Sequence, residues 1–231
     1  MRRRIVIARG GAVNPQEPLG LDSLEQSVTI LPMQFKPFLF VILFGFASDI
    51  FAEPILKPIF NGKDLAGWKA PKGNDAAGWY KAVDGILKIQ SGPEKKGSIL
   101  WTKKKYQNFL MEFEFRMGVG RVDSGVHIRT KDQIQIGISG SLNRDMTCSP
   151  YIPGKGYPVE AKNIKKLLKL KDWNTMRIQA IGPEYTVWLQ GEKVMTYKSA
   201  SAIKEGPLGL QLHGSRDMSI DYRNLKLTEL K

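Results

Sequence analysis

Residues 123–137, DSGVHIRTKDQIQIG, carry side chains able to do chemistry in a two-residue rhythm. Asp123, His127 and Arg129 share one parity, Val126 and Ile128 the other. After Thr130-Lys131-Asp132, Gln133 and Gln135 oppose Ile134 and Ile136. The pattern predicts two strands joined by a turn, each with one polar and one apolar face. Further on, Gln211 and His213 oppose Leu210 and Leu212. In FLMEFEFRMG, Glu112 and Glu114 oppose the row from Phe109 to Met117. If the apolar faces meet in a core, the polar faces form one outer surface. That surface collects both histidines of the chain with an arginine, carboxylates and amides. Planar amides and guanidinium suit bidentate hydrogen bonds to vicinal hydroxyls. His127, His213, Asp123 and Glu114 also supply donors for a mixed N/O divalent-metal site, although no compact spacing demands one. The plainer alternative is a wet sheet face laced with ion pairs, such as Glu114 with Arg129.

These residues need strands to hold them, and the chain is written for strands. It has 23 Gly and 13 Pro, a 42% apolar content sufficient for a core, and little helical periodicity. Asp84-Gly85 and Gln190-Gly191 are hairpin turns between alternating segments. About ten strands with short turns predict an all-β fold of two antiparallel sheets packed face to face. Residues 138–171 break the rhythm with a Gly/Pro-rich loop ending in a short Lys-rich amphipathic piece; long loops of this kind are functional or disordered. Trp68, Trp79 and Trp101 lie near strand ends, either as core packing or as apolar platforms.

The formal net charge is +13. The lysines are scattered, and no helix-turn-helix, zinc-finger or RNA-binding aromatic signature accompanies them, so no nucleic-acid partner is expected. The charge serves as a solvated surface or as a means of holding an acidic polymer. The single Cys148 excludes an intramolecular disulfide and a Cys-built zinc site. From Met33 the text has the layout of a signal peptide: Lys36, the apolar run Phe38 to Phe46, and a cleavage site ending at Ala52. The run is too short to span a membrane. Residues 1–32 read as a disordered, non-native upstream extension, 33–52 as the signal peptide, and 53–231 as the mature domain. A secreted or periplasmic protein without stable membrane insertion is expected.

IFNGKDLAGW, VDGILKI, LWTKKKYQNFLMEFEFRM, DSGVHIR, QIQI, DWNTMRI, GPLGLQLHG and IDYRNLKL occur in the order expected of one family. Over roughly Pro58 to Leu230 the chain resembles the 3-keto-disaccharide hydrolase domain. The resemblance implies a concanavalin A-like jelly-roll sandwich and a glycoside substrate already oxidised to a ketone at C3. The C3 carbonyl acidifies the C2 proton; a base removes it, an enolate forms, the C1 aglycone leaves, and water adds back. Neither a covalent sugar–enzyme bond nor a redox cofactor is required. Such chemistry needs a base, a donor for the enolate oxygen and an acid for the leaving group. His127 is the expected base, because unperturbed imidazole titrates near neutrality. Arg129 and His213 are expected to stabilise the enolate. Glu114 would act as acid or base, or orient Arg129. Gln135 and Gln211 would hold hydroxyls, with Asp123, Ser124 and Gln133 completing the substrate site.

The family often shows Glu where this chain has Gln133. A lost carboxylate removes a metal ligand or a base, or changes the substrate. The rival to an enzyme is a carbohydrate-binding sandwich without turnover, since fold does not fix function; a surface-attachment domain is a third reading.

Overall fold

The structure, a computed structural model, describes residues 53–231. The expected signal peptide and upstream extension lie outside the described residues. Fourteen strands and two one-turn helices follow in chain order. They are β1 (Lys57–Pro58), β2 (Trp68–Lys69), α1 (Asn74–Ala77), β3 (Tyr80–Val83), β4 (Ile86–Gln90), β5 (Ser98–Thr102), β6 (Phe109–Gly120) and β7 (Asp123–Ile128). Then come β8 (Asp132–Gly137), β9 (Pro150–Tyr151), α2 (Ile164–Leu167), β10 (Asn174–Ile181), β11 (Glu184–Leu189), β12 (Glu192–Lys198), β13 (Gly209–Leu212) and β14 (Met218–Glu229). All pairings are antiparallel. One sheet has eight strands in the order β12-β11-β10-β6-β14-β4-β3, with β1 also on β14; the other has six, β2-β5-β13-β7-β8-β9. The architecture is the expected all-β sandwich.

Local signals and structure agree at the hairpins. Asp84 and Gly85 take φ 49° and 79°, and Gln190 and Gly191 take 51° and 81°, the double left-handed geometry that matches strand twist. The alternation in β6 also holds. Phe109, Met111, Phe113 and Phe115 are wholly buried between the sheets, while Glu112, Glu114 and Arg116 look outward. From the six-stranded sheet, Leu100, Val126, Ile128, Ile134, Ile136, Leu210 and Leu212 meet them. Each such side chain contributes roughly 1.5–3 kcal/mol by leaving water. Trp68 belongs to this core and donates its indole N–H to the Ile59 carbonyl at 3.0 Å.

The sheet assignment corrects one expectation. β6 lies in the eight-stranded sheet, whereas β7, β8 and β13 lie in the six-stranded one. The outward faces of the two sheets point away from each other, so Glu112 and Glu114 are across the molecule from His127 and His213. Glu114 accepts from Arg223 Nε and Nη2 at 3.0 and 2.9 Å, not from Arg129; that guanidinium holds its carboxyl below the usual range. Glu112 pairs with Arg177 at 2.9 Å.

Arg129 is the second correction. β7 ends at Ile128, and Arg129 and Thr130 take φ 52° and 79°. The left-handed step breaks the alternation and turns the guanidinium inward. Arg129 is fully buried and donates to the carbonyls of Gln107 (2.6 Å), Gly182 (2.6 Å), Ile203 (3.1 Å) and Ala180 (3.4 Å). It fastens the β7–β8 turn to the opposite sheet instead of facing a ligand.

Candidate functional site

In β7, β8 and β13 the odd-numbered side chains do gather on the outer face of the six-stranded sheet. Asp123, Gln133, Gln135, Gln211 and His213 line one cavity of about 410 Å³. The floor is a buried amide chain. Gln135 Nε2 donates to Asp123 Oδ1 at 2.9 Å. Because a carboxylate can only accept, the Gln135 carbonyl must point the other way, where Gln133 Nε2 donates to it at 3.0 Å. The same Nε2 lies 3.2 Å from the Ser124 carbonyl and 3.0 Å from Gln211 Oε1. Each amide orientation follows from its neighbour, and the chain leaves the Gln211 NH2 as its outward-facing donor.

This network explains Gln133. A glutamate in the same position would set one oxygen against the Ser124 carbonyl and the Gln135 and Gln211 side-chain oxygens, and would force the Gln211 amide to turn over. Gly125, opposite Gln135 in the ladder, makes room for it: a Cβ at Gly125 would fall 2.2 Å from Gln133 Nε2 and 2.6 Å from the Ile134 carbonyl.

At the other end stands a charged trio. Asp123 Oδ2 is buried and makes no hydrogen bond. It faces Arg216 Nη2 at 3.2 Å and His213 Nε2 at 3.8 Å. His213 Nδ1 lies 2.7 Å from the Gly214 carbonyl. That oxygen only accepts, so Nδ1 carries a proton, which leaves Nε2 as the nitrogen able to take one up. A proton arriving at Nε2 would create an imidazolium beside a buried carboxylate. Arg216 Nε is also buried without a partner.

The loop after β8 supplies the far wall. Cys148 N–H donates to the Gln135 carbonyl at 2.8 Å, and Gln135 N–H donates to the Ser149 carbonyl at 3.0 Å, so the loop runs back along the β8 edge. β9 follows and sets Tyr151 opposite Gln133. Tyr157 packs edge-on against Tyr151 with ring centroids 5.3 Å apart, and both line the cavity with Ser139 and Ser141. Cys148 itself is fully buried, and burial pushes its thiol up, away from nucleophile chemistry.

Four expected site residues stand outside the cavity. Ser124 faces the core, where its hydroxyl donates to the Gln211 carbonyl at 2.7 Å and meets the Tyr222 hydroxyl at 3.1 Å. Arg129 and Glu114 are placed as described above. His127 shares the outer face but not the cavity. Its ring sits 5.4 Å from that of Trp101, both ring nitrogens are buried without partners, and burial pushes its pKa down to about 4. A main-chain group at Lys131 offsets this only in part. His127 is thus a poorer proton acceptor than the sequence suggests. Among the described residues, no three His, Cys, Asp or Glu side chains gather as a metal site; the quartet His127, His213, Asp123 and Glu114 is split between the two sheets.

Arg216, Tyr151 and Tyr157 were not among the expected site residues. Arg216 follows His213 by three residues in HGSRD, outside any strand; Tyr151 sits in the two-residue β9, and Tyr157 in the irregular loop after it. Periodicity carries no signal in such segments.

Several solved structures share the fold. A candidate glycosyl hydrolase from Parabacteroides distasonis ATCC 8503 is 25% identical, with a TM-score of 0.57, covering 77% of this chain and 100% of its own. A second from the same organism is 20% identical, with a TM-score of 0.58, over 76% of this chain and 94% of its own. The exoplasmic domain of VIP36, in a form bound to Ca2+ and Man3GlcNAc, is 10% identical, with a TM-score of 0.53, over 77% of this chain and 91% of its own. No curated protein matches the chain in sequence. Residues 56–228 match the profile of the 3-keto-alpha-glucoside-1,2-lyase-like domain. The chain belongs to the 3-keto-alpha-glucoside-1,2-lyase-like domain family.

Proposed function

We propose that the protein cleaves 3-keto-glycosides by eliminating the aglycone and hydrating the product, with His213 rather than His127 as the base. The observation that carries this reading is the trio of Asp123, His213 and Arg216 at the cavity wall. His213 Nε2 takes the C2 proton of the 3-keto sugar. The imidazolium so formed is stabilised by the Asp123 carboxylate, which also faces Arg216. The enolate oxygen at C3 accepts hydrogen bonds from Arg216 and from the outward NH2 of Gln211. Collapse of the enolate expels the C1 oxygen, which takes the proton back from His213. Water then adds across the resulting double bond, and the net change is hydrolysis. Tyr151 and Tyr157 provide an apolar wall for the C–H face of the sugar. After removal of the leader at Ala52, this chemistry would take place in the periplasm or outside the cell.

The test is direct. The purified protein is incubated with a 3-keto-disaccharide and with its unoxidised counterpart, and monosaccharide release is followed by chromatography. Cleavage of the first alone supports the reading. Binding of the unoxidised glycan with no product from either would favour a sugar-binding module, a rival supported by a floor whose glutamines already satisfy one another.

A further inference from the structure

The ladder register aligns one residue from each strand of the six-stranded sheet. Lys69 pairs with Trp101, Trp101 with Gly209, Gly209 with His127, His127 with Gln133, and Gln133 with Tyr151. Paired residues share a face, so this row runs over the whole outer surface. Gln133 and Tyr151 belong to the cavity already described. Trp101 lies three strands away from Gln133, about 14 Å at the usual strand spacing.

The Trp101 end is built differently. A Cβ at Gly209 would meet Trp101 Cε3 and Cζ3 at 2.6 Å, so the indole lies down over the glycine, with His127 against it. Beside the ring is a second cavity of about 490 Å³, lined by Lys69, Lys103, Lys105, Thr102, Thr130 and Pro207. No carboxylate lines it. Lys103 and Lys105 both line this cavity, whereas Lys104 between them does not and pairs with Glu229. Among the described residues, Lys69, Lys103 and Lys105 make no ion pair, and all three are exposed. The lining therefore carries three lysines and no acid, a local potential that favours anions over cations.

We infer that Trp101, with Lys69, Lys103 and Lys105, is a binding subsite for an anionic sugar unit, one bearing a carboxylate or a sulfate. The indole stacks on the ring's C–H face, and the lysines hold the charge. The subsite extends the glycoside reading of the first cavity, on which its place in one continuous ligand track rests. Its own chemistry does not depend on turnover.

The experiment titrates the full-length protein by tryptophan fluorescence and calorimetry. Three unoxidised oligosaccharides of equal length are used: a uronic-acid oligomer, a sulfated one and a neutral one. An acidic oligomer should bind about tenfold more tightly than the neutral one at low salt, and this preference should shrink as ionic strength rises. The two acidic arms tell which anion is preferred. Trp101→Ala should weaken the acidic oligomer about tenfold. The exposed double substitution Lys103→Glu, Lys105→Glu should abolish the acidic preference while leaving cleavage of a small neutral 3-keto-disaccharide unchanged. Equal affinity for neutral and acidic oligomers would overturn the inference. So would an acidic preference indifferent to the double substitution, or tighter binding of single-stranded DNA than of either acidic oligomer. Failure of the cleavage reaction would leave these binding results standing, and their failure would leave the cleavage reading standing.

Discussion

The two outward sheet faces are built from similar residue types and do opposite things with them. On the eight-stranded face, the strand carboxylates and arginines of the central strands pair with one another: Glu112 with Arg177, Glu114 with Arg223, Arg116 with Asp221. Arg116 and Arg223 also flank the Trp173 ring, at 4.7 and 4.1 Å. None of the six paired residues leaves a buried side-chain atom without a partner. On the six-stranded face, the polar groups of the floor are buried rather than solvated, and the network ends in Asp123 Oδ2, which faces Arg216 and His213 without a hydrogen bond, and in Arg216 Nε, buried without a partner. Buried polar groups lacking partners cost stability, so a fold retains them where a ligand or a proton supplies the missing contact. The lesson is that a carboxylate on a strand signals function through what it lacks, not through its presence.

Breaking the six-stranded face should have the largest effect. His213→Ala and Asp123→Asn should each lower 3-keto-disaccharide cleavage by about 10²–10⁴, measured as kcat/KM, with the melting temperature little changed for the half-buried histidine. Next comes Arg129→Met, which removes the buried donor for four main-chain carbonyls. It should destabilise the protein by about 3 kcal/mol in urea titrations, without altering kcat per folded molecule. This outcome separates a structural arginine from a catalytic one.

The two histidines sharpen the comparison through pH. His127 is held near pKa 4 in the folded protein, against an ordinary value of 6.5. Between these limits the unfolded chain binds the extra proton. The stability due to a neutral His127 is therefore complete above about pH 6.5 and lost as pH falls toward 4, a change of about 3 kcal/mol. A His127→Gln variant should lack this part of the acid limb in denaturation curves taken across that window. The smallest effect belongs to the saturated face: Glu114→Gln should cost about 1 kcal/mol or less and leave turnover unchanged.

Much of the scaffold was legible because strand physics is local. Alternation in β6, β7, β8 and β13 gave the buried faces, and the Asp84-Gly85 and Gln190-Gly191 pairs gave their hairpins. The site was legible where it continued that alternation, at Asp123, Gln133, Gln135, Gln211 and His213. It failed where a non-local or irregular choice decided. Which sheet β6 joins is a matter of topology, and parity cannot separate Glu114 from His127. The left-handed step at Arg129 reverses its direction by one backbone angle. The environment of His127 depends on Trp101 closing over Gly209, a contact between residues far apart in sequence. Arg216, Tyr151 and Tyr157 reach the cavity from segments without a period.

The central claim, that proton transfer at C2 belongs to His213, is tested most directly by isotope exchange. A 3-keto-glycoside is incubated in deuterium oxide with limiting protein, and C2 deuteration of recovered substrate and product is followed by NMR. The account predicts incorporation above the buffer background with the wild type and with His127→Gln, and background levels with His213→Ala. Incorporation that survives His213→Ala but disappears in His127→Gln would contradict it.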